Sequence, residues 1–393
     1  MARCVDDGAD ATEAHEPTCD ASALVDADPG GDALEAAPGV PYVVELAPVL
    51  AWQQCARMND GTVRCRGRNQ SGELGIGSWD YEDHGTTAVP DLGEVEQVVG
   101  DFGSMCTRHR DGRVRCWGWN YDHALGLDPA DDERCGTTSC RTRPTLLSGL
   151  TDVVHLAPGL LGYCAVRRDG SVWCWGDLFL PGPNFSRRRY ATPTRIPELS
   201  DVVWLRMLLG GWIARHRDGT YDMREFLTTY QVPPGAEVPE GGITSSICYR
   251  LPDASIRCLG ANFNGEVGNG RSSPTDRVST PSNPGLCGVH SVSIGGYHAC
   301  VVLADRGIAC WGDAAEGGLG LGGTEQCAGI SRPSSCITRP ARVPGIDRVA
   351  RLFLTAWGSC ALRLDHRVWC WGTLAPQPYN AAPREISWEL GAQ

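Results

Sequence analysis

Twelve of the nineteen cysteines in this 393-residue chain fall into six pairs spaced ten positions apart. Cys55 pairs in this way with Cys65, Cys106 with Cys116, Cys164 with Cys174, Cys248 with Cys258, Cys300 with Cys310 and Cys360 with Cys370, each pair straddling an Asp-centred turn. Thiols so placed offer two chemistries, metal ligation or cross-linking. A seventh copy, centred on Asp218, carries Ile213 and Met223 at the cysteine positions. Both thiols are missing together, which follows if a pair is one disulfide and has no cause if the thiols are separate ligands. The spacing therefore predicts hairpin disulfides, an internal repeat and an oxidising compartment. Cys135 with Cys140, and Cys327 with Cys336, stand in two inserts that share a Ser-Cys-x-Thr-Arg-Pro ending, and are expected to pin two outer loops. Zinc is the competing reading there, but the pairs lack short spacing with a histidine nearby. Cys4 and Cys19 are expected to close a small loop, and Cys287 is either a free thiol or paired with that leading segment.

Other reactive groups are sparse. All 35 basic residues are arginine, so Schiff-base catalysis and a phosphate-loop lysine are unavailable. The nine histidines are dispersed, and no nucleophile elbow, His-Glu-x-x-His helix or nucleotide loop occurs. The expectation leans away from an enzyme and assigns no cofactor, no catalytic residue and no metal ligand. Aromatic residues recur instead. Trp52, Phe102, Tyr163, Trp212, Tyr297 with His298, and Trp357 lie one to four residues before the first cysteine position of six repeats. Such a set is the composition of a protein-binding face. The alternatives are rings folded inward as a plug, or a surface for stacking carbohydrate. Trp117, Trp175, Trp311 and Trp371 follow the second cysteine directly and read as packing between repeats.

The elements that must position these groups are short strands. Asp60, Asp111, Asp169, Asp218, Asp253, Asp305 and Asp365 centre seven hairpins, about 50 residues apart except for an interval of 35 after Asp218. Pairing Cys55 with Cys65 sets Met58 opposite Thr62 and leaves the loop Asn59-Asp60-Gly61, with glycine where positive φ is needed. A β-branched stretch opens each unit, and the better copies close on Trp-Gly and a Gly-Leu-Gly-like run such as Gly72-Glu73-Leu74-Gly75-Ile76-Gly77. Regular short strands of this period predict an all-β, seven-bladed β-propeller over 41–393, with a degenerate fourth blade. Residues 1–40 hold ten acidic side chains against Arg3 and almost no large apolar residue, so an acidic, disordered leader or tether is expected. Its cluster Asp6-Asp7-Gly8-Ala9-Asp10 lacks the closing glutamate of a calcium loop.

The units Gly296-Tyr297-His298-Ala299-Cys300 with Cys310-Trp311-Gly312, and Asp169-Gly170-Ser171-Val172-Trp173-Cys174-Trp175-Gly176, resemble the regulator of chromosome condensation repeat. The resemblance covers 41–393, implies that family's seven-bladed propeller, and is closest in kind to an exported, disulfide-bearing bacterial branch. It also implies that the chain ends, Tyr42–Leu46 and Arg384–Trp388, complete one blade together. The aromatic rim is similar to that of the propeller-type β-lactamase inhibitor. The resulting expectation is a secreted or cell-surface monomer, extracellular or periplasmic, that binds a protein through an aromatic-rimmed face. A lectin-like propeller or a channel-mouth enzyme is the alternative. The net charge of −12 falls mostly in the leader, so no basic face is implied and nucleic acid is not expected as a partner. No apolar run is long enough for a membrane helix, and the start of the sequence carries no export signal.

Overall fold

The computed structural model describes residues 39–47, 53–180, 186–208, 210–225, 228–238, 246–275, 277–323, 325–329, 333–374 and 380–391. The chain forms seven antiparallel sheets in sequence order, a seven-bladed β-propeller fold. Two compact units divide them. Gly39–Pro234 with 387–391 holds the first four sheets, and 235–374 with 380–386 holds the last three. Of the expected leader 1–40, residues 1–38, with Cys4 and Cys19, lie outside the described residues.

Each hairpin forms because its aspartate caps its own turn. The Asp60 carboxylate accepts the N–H of Thr62 (3.0 Å), and the same contact two residues on recurs at Asp111, Asp169, Asp218, Asp253, Asp305 and Asp365. Met58 N donates to Thr62 O (2.9 Å) and Gly61 takes φ +78°, so the three-residue loop is as the spacing predicts. Alternation then sets Cys55 directly opposite Cys65. The same register brings Cys106 to Cys116, Cys164 to Cys174, Cys248 to Cys258, Cys300 to Cys310 and Cys360 to Cys370. All six ten-apart pairs are disulfides with Cα atoms 4.0–4.2 Å apart. In the fourth sheet Ile213 faces Met223 at that place.

The cystines are core material. Cys106 and Cys116 pack with Leu125, Leu156 and Trp175 between the second and third sheets. Met105 and Trp117, on the other side of the same strands, pack with Cys55 and Cys65 of the first sheet. In the other unit, Cys248 and Cys258 pack with Val292 and Trp311 between the fifth and sixth sheets. Period-two alternation thus buries both faces of these strands, so the core is a series of layers between neighbouring sheets.

Three expectations change. The chain ends do not share a sheet. Val43–Leu46 is the first strand of the first sheet and Asn380–Ile386 the fourth strand of the last, so each sheet keeps its own phase. The short interval after Asp218 does not remove a strand from the fourth sheet, which is degenerate in lacking its cross-link and in carrying Arg224-Glu225 in place of Trp-Gly. It keeps four strands, the outermost being Thr228–Tyr230, and the shortfall passes to the fifth sheet. That sheet has three strands among the described residues, with a single bridge, Glu237 to Arg250, in place of an opening strand. Finally, the two cysteine inserts are hairpins rather than loops, and they add a fifth strand to the second and sixth sheets. Cys135 is bonded to Cys140 and Cys327 to Cys336, so both inserts are pinned as expected, with sheet in place of loop. Cys140 and Cys336 lie in the long strands Thr138–Leu146 and Ser334–Arg342, whose ladders the short strands extend. Cys287 is also disulfide-bonded, so the free-thiol reading is excluded. No described helix is long and apolar enough to cross a membrane.

Candidate binding face

The loop before each first-cysteine strand divides the expected rim into two populations. Counting back from the cysteine, the first and second positions lie in or at the entry to the strand and the fourth lies in the loop, while the third is the boundary, in the loop at Gly103, Tyr297 and Trp357 and in the strand at Leu161. Tyr163 and Trp212, at the first position, are buried, as is His298 at the second. Phe102 and Trp357, at the fourth and third, are 46% and 39% exposed, and Tyr297, at the third, is half-buried. Leu160 occupies the fourth position of its repeat and is also exposed. Trp52 lies outside the described residues.

The buried members act as struts. The Tyr163 hydroxyl donates to the Ser104 carbonyl (2.8 Å) and lies 2.9 Å from Ser104 Oγ. Ser104 Oγ in turn donates to Asp101 Oδ1 (2.7 Å), which also accepts the N–H groups of Gly103 and Ser104. Burial pushes the Asp101 carboxyl up to about 7, against the pull of those donors, and raises the Tyr163 hydroxyl well above its ordinary value. His298 Nε2 lies 2.8 Å from Ser359 Oγ, which donates to the Gly318 carbonyl. Burial lowers this imidazole to about 4, so it is neutral at physiological pH. Trp212 belongs to the apolar layer between the third and fourth sheets.

The Asp101 network gives the second sheet a rigid end. It closes the loop Asp101–Ser104, from which Phe102 projects. Gly103 O accepts the N–H of Trp119 (2.9 Å), so Trp119 sits across that loop. A β-carbon at Gly103 would lie 3.3 Å from the Trp119 side chain. Trp119 stacks on Tyr121, with ring centroids 4.9 Å apart and planes at 26°, and Tyr121 is 49% exposed. Beside them Arg189 pairs with Asp122 (2.9 Å) and with Asp177 (3.1 Å), and Arg187 also pairs with Asp177 (2.7 Å). The Arg187-Arg188-Arg189 run is part of the strand Ser186–Arg195 and is met by the chain's own acids, Arg188 pairing with Glu198. In the other unit, Trp357 projects from the matching loop of the seventh sheet, where Gly358 O accepts Thr355 N.

The tryptophans after the second cysteine form a separate structural set. Trp117, Trp175, Trp311 and Trp371 are fully buried. Trp117 Nε1 donates to Glu73 O (2.9 Å), Trp311 to Glu266 O (2.8 Å) and Trp371 to Gly318 O (2.8 Å), each on the preceding sheet. Each indole covers a left-handed glycine of the Gly-Leu-Gly run before it. At Gly75, Gly126, Gly268 and Gly320, a β-carbon would lie 2.6–3.1 Å from the ring. Among the described residues no group of His, Cys, Asp and Glu is arranged to hold a metal ion.

No protein-family model matches the chain. Over 132 residues it is 30% identical to Protein pim1 of Schizosaccharomyces pombe, a match spanning 30% of this chain and about a quarter (24%) of that protein's length. The structure is similar to the entire ectodomain of the Physcomitrella patens receptor kinase CR4, with a TM-score of 0.50 and 15% identity, covering 86% of this chain and 76% of that one. It is also similar to yeast RCC1 (Prp20), crystallised bound to Kap60, with a TM-score of 0.48 and 15% identity over 88% and 75% of the two chains. At that level of identity the likeness to the CR4 ectodomain extends to the fold alone.

Proposed function

We propose that this chain is a non-catalytic binding protein of an oxidising compartment, and that it engages a protein partner through the aromatic ends of its sheets. The observation that carries the reading is the group Phe102, Trp119 and Tyr121. Two of its rings are about half exposed, on a loop held rigid by a buried carboxylate. Rigid, exposed aromatics lose little entropy on docking and supply the residue types that dominate interface hot spots. Trp357 offers a second anchor of the same kind in the other unit. The eight disulfides between described residues favour an extracellular, periplasmic or cell-surface setting.

The test is cross-linking capture from the native surroundings, with a double variant, Phe102→Ala with Tyr121→Ala, compared against the parent chain. Each removed anchor is expected to weaken capture by about tenfold or more, with the melting temperature changed by no more than about 2 °C. Undiminished capture by the double variant overturns the reading. The stacked Trp119–Tyr121 pair is also a surface on which a sugar ring could lie. Saturable binding on a glycan array, lost in Tyr121→Ala, would identify a lectin instead.

A further inference from the structure

The junctions between consecutive sheets follow one rule in the first unit. The hairpin turn of one sheet meets the residue that precedes the opening strand of the next. Gly61 O accepts Val95 N, Gly112 O accepts Val153 N and Gly170 O accepts Val202 N, each at 3.0 Å. The residue before the strand is an acid every time, Glu94, Asp152 or Asp201. Each pairs with an arginine of its own sheet's hairpin, as Glu94–Arg110 (3.3 Å), Asp152–Arg167 (3.4 Å) and Asp201–Arg217 (3.2 Å).

The junction between the fifth and sixth sheets keeps this register and loses the pair. Val289 N donates to Ala254 O at 3.0 Å, so the backbone is superposable in its bonding. The position of the acid is now Gly288. The residue whose N–H reaches the Gly288 carbonyl, where Arg110 and Arg217 stand in the other copies, is Ala304. Removing two long side chains leaves a cleft of about 160 Å³.

Two guanidinium groups, of Arg250 and Arg306, and the His290 imidazole line that cleft. Arg306 stands at φ +62°, the turn position that Gly61, Gly112, Gly170 and Gly219 fill in the first four hairpins. A β-carbon in the left-handed region costs free energy, so a long cation there works against the fold. Neither the Arg306 guanidinium nor the His290 imidazole has a hydrogen bond or ion pair among the described residues. Burial lowers the proton affinity of His290, and Arg306 and Arg250 lower it further while Glu237 opposes them, so the four groups share one field. Arg250 is held in place, its Nε donating to Val289 O (2.6 Å) and its Nη1 to Glu237 (3.2 Å). The other nearby acids are engaged, Asp305 with Arg342 and Gly307 N, and Asp253 with Ser255.

We propose that this cleft is a carboxylate-binding site, in which Arg306 and His290, beside Arg250, receive an Asp or Glu side chain of an acidic peptide in place of the acid that Gly288 lacks. Two sources offer that chemistry, a separate acidic peptide and the chain's own acidic residues 1–40. The site is independent of the aromatic group in the second sheet.

The test uses the full chain and a synthetic peptide with the sequence of residues 6–10, blocked at both ends, at low ionic strength. Calorimetry is expected to show saturable binding that weakens as salt rises. Imidazole NMR is expected to show the His290 titration moving to higher pH on saturation. Arg306→Gly should lose about tenfold in affinity or more while holding or raising the melting temperature, because glycine suits the turn. Arg113→Ala, an exposed arginine outside the cleft, should bind as the parent does. A chain with Asp6, Asp7 and Asp10 changed to Asn separates the sources. Tighter peptide binding by that chain places the leader in the cleft, and unchanged binding assigns the site to a separate molecule. Absence of saturable binding in both chains overturns the proposal, as does equal binding by the Arg306→Gly variant.

Discussion

Seven aspartates occupy one structural position, and each does the same work with its carboxylate. Accepting the N–H two residues on is what a three-residue hairpin needs from its second member, so Asp recurs where sequence drift elsewhere is large. Hydrogen bonds from Ser171 and Thr220 hold Asp169 and Asp218 below the usual carboxylate range. Two glutamates behave oppositely. Glu73 accepts Ser71 N (2.7 Å) and Glu266 accepts Asn264 N (2.8 Å), inside equivalent turns that receive Trp117 and Trp311. Burial pushes both from 4.5 up to about 7. The folded chain therefore keeps protons that the unfolded chain releases in this window. The resulting stability is complete below the unfolded value and is lost as pH rises through about 7. The melting temperature is expected to fall between about pH 5 and pH 8, by up to about 3 kcal/mol of stability per carboxyl. Changing both, Glu73→Gln with Glu266→Gln, should flatten most of that slope, with Asp101, raised to about 7 in the same way, supplying the remainder. A calorimetric pH series checks it, and an unchanged slope would show that these carboxyls are solvated.

Between elements, recognition runs from the glycine turn of one sheet to the tryptophan of the next. Gly75 takes φ +69°, and a β-carbon there would lie 2.7 Å from Trp117 Nε1. Gly75→Ala is accordingly expected to cost about 2–4 kcal/mol, from backbone strain and overpacking together. Gly93→Ala, with no atom near its β-carbon, should stay within about 0.5 kcal/mol of the parent. Urea unfolding of the two variants separates local fit from general glycine loss. The inserts use the same device. Thr142 and Arg143 occupy the space beside Gly72 and Gly77, and Thr338 and Arg339 that beside Gly265 and Gly270. The shared Ser-Cys-x-Thr-Arg-Pro ending is thus a docking motif for the preceding turn. The spacing alone showed two pinned segments, but it could not show that they extend a sheet, because their pairing partners are far along the chain.

At the scale of the molecule, cross-links are placed where the cores are. The six hairpin bridges are 0–4% exposed, and each closes a loop of about eleven residues, contributing somewhat under ~3 kcal/mol in the chain-entropy model. Reductant is expected to act slowly on the folded protein and to lower the melting temperature sharply once unfolding exposes the bridges. Peptide mapping without reduction should return the eight pairs seen among the described residues, together with a bridged Cys287. Free ten-apart thiols would remove the basis of the layered core.

The hairpins, their register, the cystines and the repeat count are local consequences of residue type at short spacing. Asp at the turn, Gly where φ is positive and cysteine ten positions from cysteine suffice to specify them. The fate of each aromatic ring was decided by a pleat only one residue wide. Tyr163 and Phe102 fall in the same sequence window, yet one is a strut and the other faces solvent, because strand entry lies between their positions. The chain ends, the shortened fifth sheet and the cationic cleft depend on which residues meet across neighbouring sheets. No local spacing encodes those encounters, since they arise only when side chains from different strands and turns compete for one volume.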